Sequence, residues 1–242
     1  MDNIEKIKKL KEEKNAIILA HYYVDEEVQK IADYIGDSFY LAKVASQTEA
    51  DRIVFAGVEF MGESAKILNP NKKVLMPDAF ADCPMAHMIT IKEIKEMREK
   101  YDDLAVVCYI NSTAEIKQYA DVCVTSSNAI KIVKALPQKN IFFIPDQNLG
   151  DFVRRQVPEK NVMTNYGHCP RHTNITLDKL NEVKQKYPEA KIAVHPECKR
   201  EIVEAADFVG STSAIIDYVV QTDAQVKIPS FSLQPSLAFS QS

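Results

Sequence analysis

The stretch "AIILAHYYVDEEVQKIADYIGDS", residues 16–38, decides the fold because its layout recurs. It opens as an apolar strand-like run and passes through a polar tip. A short helical pattern follows, then Ala-Asp and a small-residue turn. Two later segments share that layout, "AVVCYINSTAEIKQYADVCVTSS" (105–127) and "KIAVHPECKREIVEAADFVGST" (191–212). Aligned on Ala-Asp, Asp33, Asp121 and Asp207 stand 88 and then 86 residues apart. Twelve residues upstream lie His21, Tyr109 and His195; five residues downstream lie Ser38, Ser126 and Thr212. Agreement at both offsets in all three segments marks an internal repeat.

Outward from these segments, short apolar runs alternate with amphipathic stretches. The runs are 16–21, 52–57, 73–77, 104–110, 140–145 and 191–196; helical patterns cover 26–35, 59–68, 90–100, 127–136 and 176–187. Near-continuous apolar strands separated by helices indicate parallel sheets covered on both faces. The expected fold class is therefore α/β, built of three-layer αβα units in a pseudo-threefold arrangement with the third unit incomplete. Residues 1–103 make the first unit, 104–190 the second and 191–224 the start of the third. The tail, 225–242, is expected to be aberrant and disordered. It carries prolines and serines where the third unit needs a buried strand, and proline removes a ladder donor.

Two Cys-Pro sites follow the same period, "ADCPMAH" (81–87) and "GHCPRH" (167–172), with Cys83 and Cys169 86 residues apart. Each is expected near the carboxyl ends of its unit's strands, where ligands collect in open α/β sheets. Thiolates converging from successive units would make a metal or iron–sulfur site with one position open. No third Cys-Pro occurs within the 242 residues. Cys108 and Cys123 lie within apolar strands and read as buried inert thiols; Cys198, just past a strand end, reads as structural.

The strings "HYY" (21–23), "IADYIGDS" (31–38), "FAGVEFMGESAKILNP" (55–70), "CPMA" (83–86), "YINST" (109–113), "GHCPRH", "HPEC" (195–198) and "VGST" (209–212) occur in this order. Together they resemble the quinolinate synthase (NadA) family over about residues 5 to 224. The resemblance implies three stacked α/β units around a pseudo-threefold axis. It also implies condensation of iminoaspartate (iminosuccinate) with dihydroxyacetone phosphate to quinolinate in de novo NAD biosynthesis, with an aspartate-oxidising enzyme supplying the imine. The family's [4Fe-4S] cluster is held by three cysteines, with one iron open to substrate. Cys83 and Cys169 fall on the first two ligands, and the third Cys ligand is absent from this chain. A weak, labile cluster and impaired turnover are therefore expected. The substrate-binding positions fall on His21, Ser38, Tyr109, Ile110, Asn111, Ser126, His172, His195, Pro196, Glu197 and Thr212. Glu197, Tyr23 and His195 are the acid–base candidates, with Glu197 the expected general base.

The chemistry suits these residue types. Both substrates are anionic, and neutral hydroxyls and N–H groups at helix starts hold anions without burying many full charges. With six glycines and no Gly-rich phosphate motif, a glycine loop is not the anion cradle. A net charge of −4 gives no broad field for nucleic acid or an anionic membrane. No apolar run reaches the roughly 18 residues of a membrane helix. The amphipathic, charged N-terminus has no apolar signal core, and five cysteines form no disulfide framework, so a cytoplasmic location is expected. The competing expectation is a cluster-free α/β module that binds small dicarboxylates or sugar phosphates.

Overall fold

The computed structural model describes residues 2–222 and 227–229. Two compact units are present. The first comprises the described residues through Ala86 together with Ile110–Gln118; the second comprises His87–Tyr109 and the chain from Tyr119 onward.

In the first unit, α1 (Asn3–Glu13) begins at Asp2, whose side chain accepts from Ile4 N–H while Glu5 answers the Asp2 N–H. This reciprocal cap satisfies donors that a helix start leaves open. There follow β1 (Ala16–His21), α2 (Glu26–Gln29), β2 (Tyr34–Gly36), α3 (Ser38–Gln47), β3 (Arg52–Ala56), α4 (Glu59–Leu68) and β4 (Lys73–Leu75). The strands form one parallel sheet in the order β2-β1-β3-β4. Leu19, Ile53 and Phe55 from the sheet bury against Leu41, Phe60 and Ala65 from α3 and α4.

In the second unit, α5 (Ile91–Lys100) leads into β5 (Leu104–Tyr109), whose residues are all buried. The next helix, α6 (Ala114–Lys117), belongs to the first unit, where Ala114 N–H donates to Glu63 at 2.7 Å. The second unit resumes with β6 (Val122–Val124), α7 (Ala129–Ala135), β7 (Asn140–Ile144), α8 (Gln147–Gln156), β8 (Asn161–Thr164), α9 (Pro170–Thr173) and α10 (Leu177–Lys186). It ends with β9 (Lys191–Val194), α11 (Arg200–Glu204), β10 (Phe208–Val209), α12 (Thr212–Gln221) and β11 (Lys227–Pro229). Its parallel sheets are β6-β5-β7-β8 and β10-β9-β11. Among the described residues no helix is long and apolar enough to cross a membrane.

The repeat seen in the sequence has a physical origin in its aspartates. Asp33, Asp121 and Asp207 each precede a short strand and reach back to the preceding long one. Their N–H groups donate to the carbonyls of Ile18, Val106 and Ile192 at 2.8, 2.9 and 2.9 Å. Their carboxylates accept the N–H of the same three residues at 2.8, 2.7 and 3.0 Å. A cation closes each clamp: Lys11, Arg98 and Lys191, at 2.6, 3.0 and 2.8 Å. Such two-point attachment fixes register. His21 pairs with Gly36, Tyr109 with Val124 and Val194 with Val209.

The clamp also corrects the helix expected over 26–35. The helix stops at Gln29, because Asp33 must return to Ile18 and residues 34–36 are taken up as β2. Most of the tail expected to be aberrant lies outside the described residues. Residues 227–229 depart from that expectation. They pair with β9, Lys227 opposite Lys191 and Pro229 opposite Ala193, as β3 pairs with β1 and β7 with β5. Pro229 is tolerated at the last position of a strand that borders the sheet among the described residues.

Removing a clamp carboxylate strands a strand N–H inside the sheet. Asp121→Ala is expected to destabilise the chain by about 2 kcal/mol, and Asp121→Asn, which keeps one acceptor oxygen, by less. Urea unfolding checks this: the midpoint should fall with the slope unchanged. An unmoved midpoint in the alanine variant would remove the clamp's role.

Candidate active site

The polar groups of the second unit gather at strand ends. Tyr109 ends β5, Asp146 follows β7, and His195, Pro196 and Glu197 follow β9. Cys169 and His172 stand at the start of α9. The "GHCPRH" loop is shaped by close backbone approach. A Cβ on Gly167 would lie 2.2 Å from the Pro145 carbonyl oxygen, so only glycine fits there. The Gly167 carbonyl accepts from Gln147 N–H at 2.8 Å. Pro170 then occupies the first helical position, where its missing N–H costs nothing, and Cys169 is the N-cap.

Glu197 is the centre of the group and is almost wholly buried. Tyr109 O–H donates to its Oε1 at 2.5 Å, and His172 Nδ1 lies 2.9 Å from its Oε2. His172 Nδ1 is also 3.2 Å from Cys169 Sγ, and the His172 and His195 rings stack at 4.9 Å. Burial pushes the Glu197 carboxyl up, but His195, His172 and Tyr109 outweigh it and hold the group below the usual carboxylate range. Tyr109 keeps its proton, because burial and then the Glu197 charge oppose phenolate formation. Asp146 is pushed well up by burial and then by Glu197, so the negative charge of the pair resides on Glu197.

Two histidines carry the same built-in tautomer. Glu197 N–H donates to His195 Nδ1, and Tyr23 N–H donates to His21 Nδ1, each at 3.3 Å. An accepting Nδ1 leaves the proton of the neutral ring on Nε2. His195 Nε2 lies 3.1 Å from Ser126 Oγ, which joins two residues matched by the repeat. Thr212 opens α12 behind its N-cap Ser211, as Ser38 opens α3 behind Asp37. Ser126, at the matching place in the repeat, lies instead in the turn before α7, whose N-cap is Asn128.

In the first unit, His21 is buried at the end of β1 and stacks edge-on with the exposed Tyr23, ring centres 4.5 Å apart. Ser38 and Cys83 are half-buried; Ile110 packs against that unit's apolar core, and Asn111 follows it, half-buried. Cys108 is buried as expected, and Cys198, expected to be structural, is buried as well. Cys123 is exposed, a correction, because β6 is a sheet edge. Asp146 and Asn148 are two further polar residues of this site that the repeat does not mark. The signal available was a polar cluster directly after the apolar strand "NIFFIP" (140–145), where ligands gather in other units.

One ligand atom from each of Cys169, His172 and Glu197 lies within 4.8 Å of the other two. Burial first, and Glu197 next, push the Cys169 thiol far up. Burial likewise pushes Cys198 up to about 12. With burial and Glu197 both opposing its ionisation, a Cys169 thiolate would be stabilised by iron or another thiophilic metal. The donor set fits a metal cofactor.

Burial drives the His21 pKa from 6.5 down to about 4, against the opposing pull of Asp37. The unfolded chain therefore binds this proton first, so stability is full above pH 6.5 and is lost as pH falls toward 4. Between pH 7 and pH 5 His21 should cost about 2 kcal/mol of stability. Thermal or urea unfolding at both pH values should show that loss in the wild type and its absence in His21→Gln; identical pH slopes would contradict it.

Comparison with known proteins gives a consistent picture. The model of the family described as Quinolinate synthetase A protein (NadA) matches residues 5–229. The quinolinate synthase of Fusobacterium nucleatum subsp. nucleatum is 62% identical over 217 residues, covering 90% of this chain and 73% of the relative. That of Aquifex aeolicus is 55% identical over 221 residues, with coverage of 91% and 69%. That of Methanocaldococcus jannaschii is 49% identical over 225 residues, with coverage of 92% and 73%. With its aspartate-clamped sheets and its Cys-Pro loop beside a buried glutamate, the chain belongs to the quinolinate synthetase A (NadA) family.

Proposed function

We propose that the chain acts as a quinolinate synthase, condensing iminoaspartate with dihydroxyacetone phosphate to quinolinate, with release of phosphate and water, in the NAD pathway. The observation that carries this reading is the buried Glu197, held as an anion between Tyr109 and His172 and beside Cys169. Family membership supports it. An aspartate-oxidising enzyme would supply the imine, and the reducing cytoplasm would keep the thiols available.

Cys83 and Cys169 would hold a [4Fe-4S] cluster; support comes from their matching places in the repeat and from the donor chemistry at Cys169. When bound, such a cluster supplies an open iron that polarises a hydroxyl oxygen as a Lewis acid. The chain's own groups do the rest. Glu197 enters as the anion and accepts a proton; because its oxygens are engaged by Tyr109 and His172, protons reach and leave it through those two groups. His195 presents Nε2–H, with Ser126 beside it, to a substrate carboxylate. His21 is neutral and offers the same kind of donor, and Tyr23 provides a phenol. Ser38, Asn111 and Thr212 add hydroxyl and amide donors for carboxylate and phosphate, the first and last with helix-start N–H groups. Ile110 and Pro196 provide apolar wall. Burial of Glu197, His172 and His195 keeps water from the labile imine.

The test is anaerobic turnover of both substrates by the iron–sulfide-reconstituted chain, with quinolinate quantified. Glu197→Gln is expected to lower kcat by about 10²- to 10⁴-fold with a smaller change in KM. Full activity in that variant, or no quinolinate from an iron-loaded wild type, would overturn the reading.

A further inference from the structure

The N-cap of α8 and the first two residues of that helix reach other loops of the unit from three consecutive positions. Asp146 is fully buried, although most aspartates are not. Its Oδ1 accepts Leu149 N–H at 2.8 Å and so caps α8. Its Oδ2 accepts the Cys169 N–H at 3.2 Å. Gln147 N–H donates to the Gly167 carbonyl at 2.8 Å. Asn148 Nδ2 donates to the Glu197 carbonyl at 3.0 Å. The start of α8, at the end of a strand of the four-stranded sheet, therefore grips the Cys-Pro loop with its first two residues. With its third it grips the loop after β9, which belongs to the other sheet of the same unit.

Capping alone does not account for this arrangement. A cap needs one oxygen near the helix start, and a serine supplies it without a buried carboxylate. Asn148 sits at the second position of α8, where an alanine would serve the helix better. Both side chains instead point their polar atoms at the backbone of Cys169 and Glu197. Those two side chains meet through His172, with separations of 3.2 and 2.9 Å from its Nδ1. A hydrogen-bonded trio of that kind survives only if the backbones carrying it stay fixed, because an outward shift of about 1 Å costs a catalytic site heavily.

We propose that Asp146 and Asn148 are positioning residues that brace the backbones of Cys169 and Glu197, setting the distance between the metal-binding thiol and the reacting carboxylate. The inference rests on the reading of Cys169 as a cluster ligand and Glu197 as the catalytic carboxylate. Neither brace residue touches substrate; each acts through the residue that it holds.

The chain carries its own reporters. Protein labelled with ¹⁵N-cysteine gives amide signals for Cys169 in one braced loop, Cys198 in the other, and Cys108 within β5, paired on both sides. Asp146→Ser keeps a cap for α8 but is too short to reach Cys169. It should speed exchange of the Cys169 amide by about tenfold and leave Cys108 unchanged. Asn148→Ala should do the same to Cys198, whose N–H bonds the His195 carbonyl. After anaerobic reconstitution, Asp146→Ser should also retain iron about tenfold more weakly than wild type.

Unchanged Cys169 exchange in Asp146→Ser or a parallel rise at Cys108 would overturn the brace, as would undiminished iron retention in Asp146→Ser where Cys169→Ser loses iron. Cys169→Ser separates the two ideas. If it retains as much iron as wild type, the ligand reading fails. The amide exchange still decides whether Asp146 and Asn148 hold their loops.

Discussion

The carboxylate of an aspartate bonded to the N–H of a neighbouring strand is the interaction on which this structure depends. It occurs at Ile18, Val106 and Ile192, with the aspartate's own N–H returning to the same residue's carbonyl. Two bonds to one residue leave a strand no freedom to slip, and a slip of one residue would turn every side chain to the wrong face. Because the clamp fixes the register, the residue at the tip of the long strand and the hydroxyl opening the next turn arrive at the same end of the sheet. The offsets of twelve and five residues are the covalent record of that geometry.

At those strand ends the chemistry is governed by one buried negative charge. Glu197 would be expensive to bury alone, and its cost is offset by Tyr109, His172 and the nearby His195. Burial first, and this charge next, suppress ionisation of Tyr109 and Cys169. The charge therefore rests on Glu197, while the Cys169 thiol keeps its proton. The backbone N–H to Nδ1 contacts at His21 and His195 place the proton of each neutral ring on Nε2.

Much of this was legible in the sequence because it repeats. The clamps left Ala-Asp at a fixed period; the strand tips and turns left His21, Tyr109, His195, Ser38, Ser126 and Thr212; the Cys-Pro sites left Cys83 and Cys169. What occurs once was not legible. Asp146 and Asn148 have no counterparts to align, and a carboxylate after a strand reads as an ordinary helix cap. The helix expected over 26–35 was over-long because amphipathic spacing cannot reveal that Asp33 is committed to Ile18. Cys123 was misplaced because an apolar triplet does not say whether its strand is central or at an edge.

The central claim is that the strand ends of the second unit form a dicarboxylate site built on His195 and Ser126 beside Glu197. Calorimetric titration of quinolinate into the chain tests it most directly. The account predicts one quinolinate bound per chain, with binding weakened about tenfold or more by Ser126→Ala and by His195→Gln. Binding of undiminished strength in both variants would contradict it.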